Sequence, residues 1–539
     1  MVTSKTYSSM KNLLTLLLPI SLLLVAAPRI AYGQQVEQPN QSADRVDAIS
    51  GLDAATQLTL ASPFTDNAVL QRDTPVPVWG AADSGTTVTV EFAGQKKSAV
   101  TEAGGKWELQ LDPMPANAQP QILKVSNGAS QVSLSNIVVG EVWICAGQSN
   151  MQVSAAAIPK VKALISKAKN IRSFEVKRTV AMTQQDRLQG KWVETHPNSA
   201  VAFSFAHFLQ QAGDVPVGII LTCWGSSSIE AWMPRDMTET VPHFKTIMDE
   251  FDADIKTRDQ INSILNGPIP WKRKDDIFLR RQPNVLYNAM MHPLVPYACR
   301  GVVWYQGERN TQSMFGMIKK PWFSRNSGML KYGDTLTAWI ERYRQSWNNK
   351  QMHFIVVMLP GFGKLLKTSP TTEADHPAAH SWAWIRESQL KSLKLQNTAV
   401  ANTIDLGDVK NVHPKDKLPI GKRLALLAAR NTLNQDIEAH GPTIDRAEPQ
   451  GETLVVHFNH ARGLKTLDGN APTAFWLSDD SEKWFKAEAE INGLTVILNS
   501  QDIRTPRYVR YAFSGKPTVN LVNAAGLPAY PFRTDTFKP

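Results

Sequence analysis

Four short stretches carry side chains suited to nucleophilic acyl chemistry. The first is Cys145-Ala146-Gly147-Gln148-Ser149-Asn150-Met151, at the end of an apolar run. A serine just after a strand and behind a glycine can be held on a tight turn with its hydroxyl outward. Its own N–H then faces a helix dipole and an oxyanion. Ser and Asn also cap helices, which is the commoner use of such a pair. The second stretch, Cys223-Trp224-Gly225-Ser226-Ser227-Ser228-Ile229-Glu230, offers the Gly225 amide as a further oxyanion donor, or is a plain strand-to-helix turn. The third, Trp304-Tyr305-Gln306-Gly307-Glu308-Arg309-Asn310, ends in a Gln amide able to donate to an oxyanion. Its Glu308 can serve as an acid, orient a neighbour or cap a helix. A general base is still needed, and of 11 histidines His413 stands out, in a loop before a helix with its backbone restrained by Pro414.

These residues need strands to present them. Apolar runs at Val138–Cys145, Val217–Cys223, Gly301–Tyr305 and Phe354–Leu359 alternate with helical patterns. Leu336, Trp339, Ile340, Tyr343 and Trp347 share one helical face, with Asp334 placed to cap that helix; Ile420, Leu424 and Leu427 share another. Strands alternating with helices predict a parallel sheet covered on both faces, with its site at the carboxyl ends of the strands. That α/β layer is expected over residues 138–434, with a helical insertion near 236–284. On either side the texture is all β: Val88, Val90 and Phe92 alternate with polar residues, as do Trp107, Leu109 and Leu111. This predicts a β-sandwich domain over 57–137 and a second β domain over 441–539.

The motifs, taken in order, resemble the sialate O-acetylesterase-like family of the wider SGNH hydrolase group. The matching segments are Gly-Gln-Ser-Asn-Met at 147–151, Trp-Gly with Ile-Glu-Ala-Trp at 224–232, Leu-Tyr-Asn with His-Pro-Leu at 286–294, Trp-Tyr-Gln-Gly-Glu at 304–308 and Val-His-Pro at 412–414. Asp66-Asn67-Ala68-Val69-Leu70-Gln71-Arg72 looks like that family's N-terminal part, so the resemblance spans nearly the whole chain after the leader. It implies an SGNH-like three-layer α/β domain between flanking sandwich or jelly-roll-like β domains. It also implies a serine carbohydrate acetylesterase in which Ser149 attacks an acetyl carbonyl and His413 takes its proton. The amides of Ser149 and Gly225 and the side chain of Gln306 would hold the oxyanion. Asn150, Glu308, Arg309, Trp224 and Trp304 become expected substrate contacts; Trp232 and Tyr305 can stack on sugars too, and core packing explains these aromatics equally well. The chain departs from the pattern at three places. Lys410 stands where an Asp three residues before the histidine is common, so the acid is Asp408, Asp405, a residue from elsewhere, or is replaced by a backbone carbonyl. Ser226 replaces a common glycine, and Arg309 a small residue.

Composition sets the frame. The chain has 539 residues, 42% hydrophobic and 20% charged, as expected of a folded protein of several domains. Residues 1–33 read as a secretory leader: Lys5 and Lys11, an apolar run from Leu13 to Ala27, and Ala31-Tyr32-Gly33 before a cut at Gln34. The run is too short for a membrane span. Export to a periplasm or the medium is expected, and residues 34–56 read as a flexible lead-in. The net charge of +10 is dispersed, with no nucleic-acid footprint. Cys145, Cys223 and Cys299 form neither a disulfide framework nor a zinc site; buried thiols are the simpler reading, with room for one disulfide. No metal or cofactor is expected. The substrate classes are acetylated hemicellulose (xylan or xyloglucan) oligosaccharides and O-acetyl sialic acid. A non-catalytic glycan-binding protein on an esterase scaffold is the competing class. A lipid or peptide esterase is disfavoured, since no Gly-x-Ser-x-Gly elbow surrounds Ser149.

Overall fold

The computed structural model describes residues 57–317 and 325–539; the leader and lead-in lie outside them. Its centre is a mixed sheet whose parallel part is built from β1 (Gln131–Gly147), β2 (Ile171–Glu175), β3 (Val217–Cys223), β4 (Gly301–Tyr305), β5 (His353–Val357) and β6 (Thr398–Ala401). The spatial order is 2-3-1-4-5-6, and the short strand Trp192–Val193 adds antiparallel to the β2 edge. Because β1 lies between β3 and β4, the chain leaves it first to one side and then to the other. The carboxyl ends of these three strands therefore flank a topological switch point, where open α/β sheets bind ligands. β3, β4 and most of β1 are fully buried, as strands covered on both faces must be.

The helices follow from which residues each face presents. Trp143 of β1 packs edge-on against Phe205 of α1 (Ala200–Gly213). Trp304 of β4 is in register with Ala146, three residues beyond Trp143 and so on the opposite face, and packs on Trp339 of α2 (Gly328–Ser346). A third helix, α3 (Leu418–Thr432), crosses α1 so closely at Gly421 that a Cβ there would stand 2.2 Å from that of Ser204. The helical face from Leu336 to Trp347 is buried. Asp334, however, does not cap α2. The helix begins six residues earlier, at Gly328, and Asp334 sits in its interior and pairs with Lys391. Between β3 and β4 run the helices Pro242–Ala253, Ile255–Leu265 and Arg273–Leu279.

β1 is long because it serves two sheets. Its first half pairs antiparallel with Asn117–Ser126 beside the Thr87–Phe92 and Gln95–Val100 hairpin, and its second half enters the parallel sheet. The anticipated boundary at 137/138 thus falls within one continuous strand. Thr59–Leu60, Val76–Ala81 and Lys106–Leu111 form a separate three-stranded sheet, and the alternating residues Val88, Val90, Phe92, Trp107, Leu109 and Leu111 are buried. After residue 441, two four-stranded antiparallel sheets and a short pair make up the C-terminal β layer. That layer docks on the α/β layer through Tyr530, whose hydroxyl donates to Val400 O at 2.6 Å, and Asn402, which donates to Pro528 O at 2.8 Å. Among the described residues no helix is long and apolar enough to cross a membrane. All three cysteines are buried and free, with their thiols pushed up by burial.

Gly147 ends β1 with φ +137°, and a Cβ on it would lie 2.1 Å from Tyr305 O. Backbone cannot yield there without parting β1 from β4. Gly147→Ala is expected to cost about 3 kcal/mol, from overpacking and a backbone region disfavoured for L residues. Urea unfolding measures it; an unchanged midpoint would refute the close approach.

Candidate active site

The tight turn after Gly147 leads into a single helical turn, Ser149–Gln152. It leaves Ser149 partly exposed while Asn150 and Met151 point inward. On the far side of the switch point, the loop between β6 and α3 carries His413. Its Nε2 lies 2.9 Å from Ser149 Oγ, across 264 residues of sequence. Asn411 Oδ1 accepts the His413 N–H at 2.9 Å, and Asn150 Nδ2 donates to Val412 O at 3.2 Å, so the loop is held on both sides of the imidazole. Burial first, then the Lys417 ammonium, pushes the His413 pKa down to about 4. At neutral pH the ring is therefore neutral and able to accept a proton.

Gly225 follows β3 and lies against Ser149: a Cβ on it would be 3.2 Å from that of Ser149. Its N–H donates at 2.9 Å to Gln152 Oε1, a residue not anticipated from the sequence. Ser226 adopts φ +64°, the left-handed region that glycine enters at least cost. Its hydroxyl accepts from Arg281 at 3.3 Å. Arg281 and Arg309 interact as like charges; burial and this repulsion lower Arg309 to about 9, and burial with Arg280 lowers Arg281 to about 10.

Several expected roles need correction. Asp408 is half-buried and accepts the backbone N–H groups of Lys410 and Asn411, which hold its carboxyl below the usual range. It caps a turn and does not reach the imidazole. Asp405 is engaged by Arg423 through two 2.7 Å bonds. Among the described residues no carboxylate is hydrogen-bonded to His413. Gln306 is fully buried, and its Nε2 faces Asn310 Oδ1 at 2.9 Å, Ser227 O at 3.1 Å and Gln148 Oε1 at 3.2 Å, while Oε1 accepts from Tyr332. It braces the strand ends from inside and is not presented to Ser149. Trp304 is completely buried, edge-on to Trp232 and tilted against Trp339, with its indole N–H donated to Tyr332. Trp232 and Tyr305 are equally inaccessible, and Trp224 is 5% exposed with Arg280 over its ring. None of these aromatics is a sugar platform.

Asn150 and Glu308 are brought together, but beneath the site: Asn150 Nδ2 donates to Glu308 Oε1 at 2.5 Å. Asn150 Oδ1 accepts from Lys417, a fully buried lysine that the sequence reading passed over. A signal for it existed. Pro419 marks the first turn of α3, so Lys417 sits at a helix N-terminus, where the macrodipole opposes a cation. Arg309, also buried, donates to Gln312 at 2.6 Å. Among the described residues there is no metal-binding cluster of His, Cys, Asp or Glu.

Residues 139–266, which include Ser149 and Gly225, match the family model described as carbohydrate esterase, sialic acid-specific acetylesterase. The chain is 26% identical over 504 residues to the sialate O-acetylesterase of Rattus norvegicus, covering 85% of this chain and 90% of the relative. The Homo sapiens sialate O-acetylesterase is 25% identical over 500 residues, covering 85% and 88%. A crystal structure of a carbohydrate acetylesterase from Xanthomonas citri superposes with a TM-score of 0.74 at 30% identity, over 89% of this chain and all of that one. With that identity carried over the full length of a solved relative, and the family's motifs gathered at one switch point, the chain belongs to the sialic acid-specific acetylesterase family of carbohydrate esterases.

Proposed function

We propose that the protein removes acetyl groups from sugar hydroxyls through an acetyl-serine intermediate, with Ser149 as nucleophile and His413 as general base. The observation that carries this reading is the 2.9 Å contact from Nε2 to Oγ at the switch point. Oγ attacks the acetyl carbonyl carbon while Nε2 takes its proton. The tetrahedral oxyanion is held by the Ser149 and Gly225 N–H groups, with Gln152 Oε1 giving way to it. Collapse breaks the bond to the sugar oxygen, which leaves with the proton from the imidazolium. Water then repeats the sequence and releases acetate. Gln306 and Asp408 stand outside this scheme. Three-part organisation and export to a periplasm or the medium complete the proposal, the latter resting on residues 1–33.

The low His413 pKa fixes the pH dependence. A base whose pKa is depressed stays unprotonated to lower pH, so kcat/KM is expected to stay level down to about pH 5 and to fall around pH 4. An acid limb centred near 6.5 would contradict the buried setting of the ring.

The substrate is an acetylated sugar of one of two classes, hemicellulose oligosaccharides or O-acetyl sialic acid. Acetate release from acetylated xylan or xyloglucan oligosaccharides and from O-acetylated sialic acid, assayed side by side, assigns the class. Release from neither would overturn the reading in favour of a glycan-binding protein.

A further inference from the structure

A serine–histidine pair without a carboxylate still needs its imidazole held against the nucleophile. The neighbours of Ser149 and His413 are tied to each other instead. Asn150, next to Ser149, donates from Nδ2 to the carbonyl of Val412, next to His413. The direction of that amide is decided by chemistry: Val412 O can only accept, so it must face Nδ2, which also meets Glu308 Oε1, and this leaves Oδ1 to accept from Lys417. Lys417 and Glu308 thus lock the one amide orientation that clasps the histidine loop. Both are removed from water, Lys417 completely and Glu308 at 8% exposure. The ammonium lies 5.5 Å above the Tyr305 ring, and Glu308 Oε2 is buried without a hydrogen-bond partner. Burial lowers Lys417 to about 7 and raises Glu308 to about 7, each opposed by the other's charge. Such a pair is costly to bury, and it joins three elements: the turn after β1, the end of β4 and the start of α3.

We propose that Lys417 and Glu308, acting through Asn150, are positioning residues that hold His413 on Ser149, taking over the orienting part of the missing triad carboxylate. This rests on Ser149 being the nucleophile. Removing the lock frees the Asn150 amide to turn, releases Val412 O and loosens the 2.9 Å contact. The loss falls on the reactivity of Ser149 and not on substrate binding, because none of the three side chains is presented at the surface of the site.

The test is the rate at which a fluorophosphonate labels Ser149, measured beside kcat and KM. Wild type should be labelled at Ser149. Lys417→Met should label about a hundredfold more slowly, with kcat down by a similar factor and KM within about threefold. Glu308→Leu should behave alike. Glu308→Gln, which keeps an acceptor for Asn150, should lose at least tenfold less than Glu308→Leu. Should Lys417→Met fail to fold, the two Glu308 variants decide by themselves. Folded variants labelled within twofold of wild type, or Glu308→Gln as impaired as Glu308→Leu, would overturn the positioning role and leave the nucleophile intact. Wild type that is not labelled at Ser149 would overturn both.

Discussion

Ser149→Ala is expected to lose acetate release by a factor of about 10⁴ or more while folding as wild type. The side chain is partly exposed, begins a helical turn and donates no hydrogen bond to the interior, so its removal opens no cavity. The alanine keeps the backbone N–H that faces the oxyanion. What vanishes is the oxygen that forms the acyl bond in the proposed mechanism, and water held in its place lacks the same approach to His413. Substrate binding should survive, which calorimetric titration with an acetylated oligosaccharide can show. Mass spectrometry should detect an acetyl adduct on wild type quenched during turnover and none on the variant. Activity within tenfold of wild type would place the nucleophile elsewhere.

His413→Gln isolates the proton transfer. Glutamine reaches a similar distance and can hydrogen-bond to Oγ, but its amide does not take a proton at neutral pH. A fall in kcat of about 10⁴ with KM changed only a few-fold is expected. His413 has no buried ion pair to lose, and its backbone tie to Asn411 does not involve the ring, so stability should change little. The deficit should also lose the wild-type acid limb near pH 4, since the titrating group is gone. A variant that keeps more than a tenth of the wild-type rate would mean that another base serves Ser149.

How much was legible beforehand can be argued from particular residues. Strands β3 and β4 coincide with apolar runs because a strand buried on both faces has no use for polar side chains. β2, in contrast, reads Ile171-Arg172-Ser173-Phe174-Glu175 and carries no apolar run to mark it. Its arginine is buried against Asn67 O and the Asn136 side chain, partners that lie 36 residues or more away. Asp334 resembled a cap, yet α2 starts earlier, at Gly328, whose N–H is accepted by the Asn326 side chain while Ser327 at the N-cap makes no side-chain cap bond.

The sequence by itself named the candidate residues and the family they resemble. Residue types and their place after apolar runs made Ser149, Gly225 and His413 candidates, and the ordered motifs of the family resemblance gave them roles, because a turn of glycine and serine at a strand end is a local pattern. Direction and depth belonged to the tertiary structure alone. Whether Gln306 looks into the site or into the core depends on packing by Asn310, Ser227 and Tyr332. Whether Trp304 stacks on sugar or on Trp339 depends on which face of β4 the helix α2 covers. Asp408 lies five residues from His413 yet spends its carboxylate on its own turn, while Lys417, Asn150 and Glu308, spread over 267 residues, meet in one buried cluster. Burial and hydrogen-bond partnership are set by residues far apart in the chain, and no local pattern encodes them.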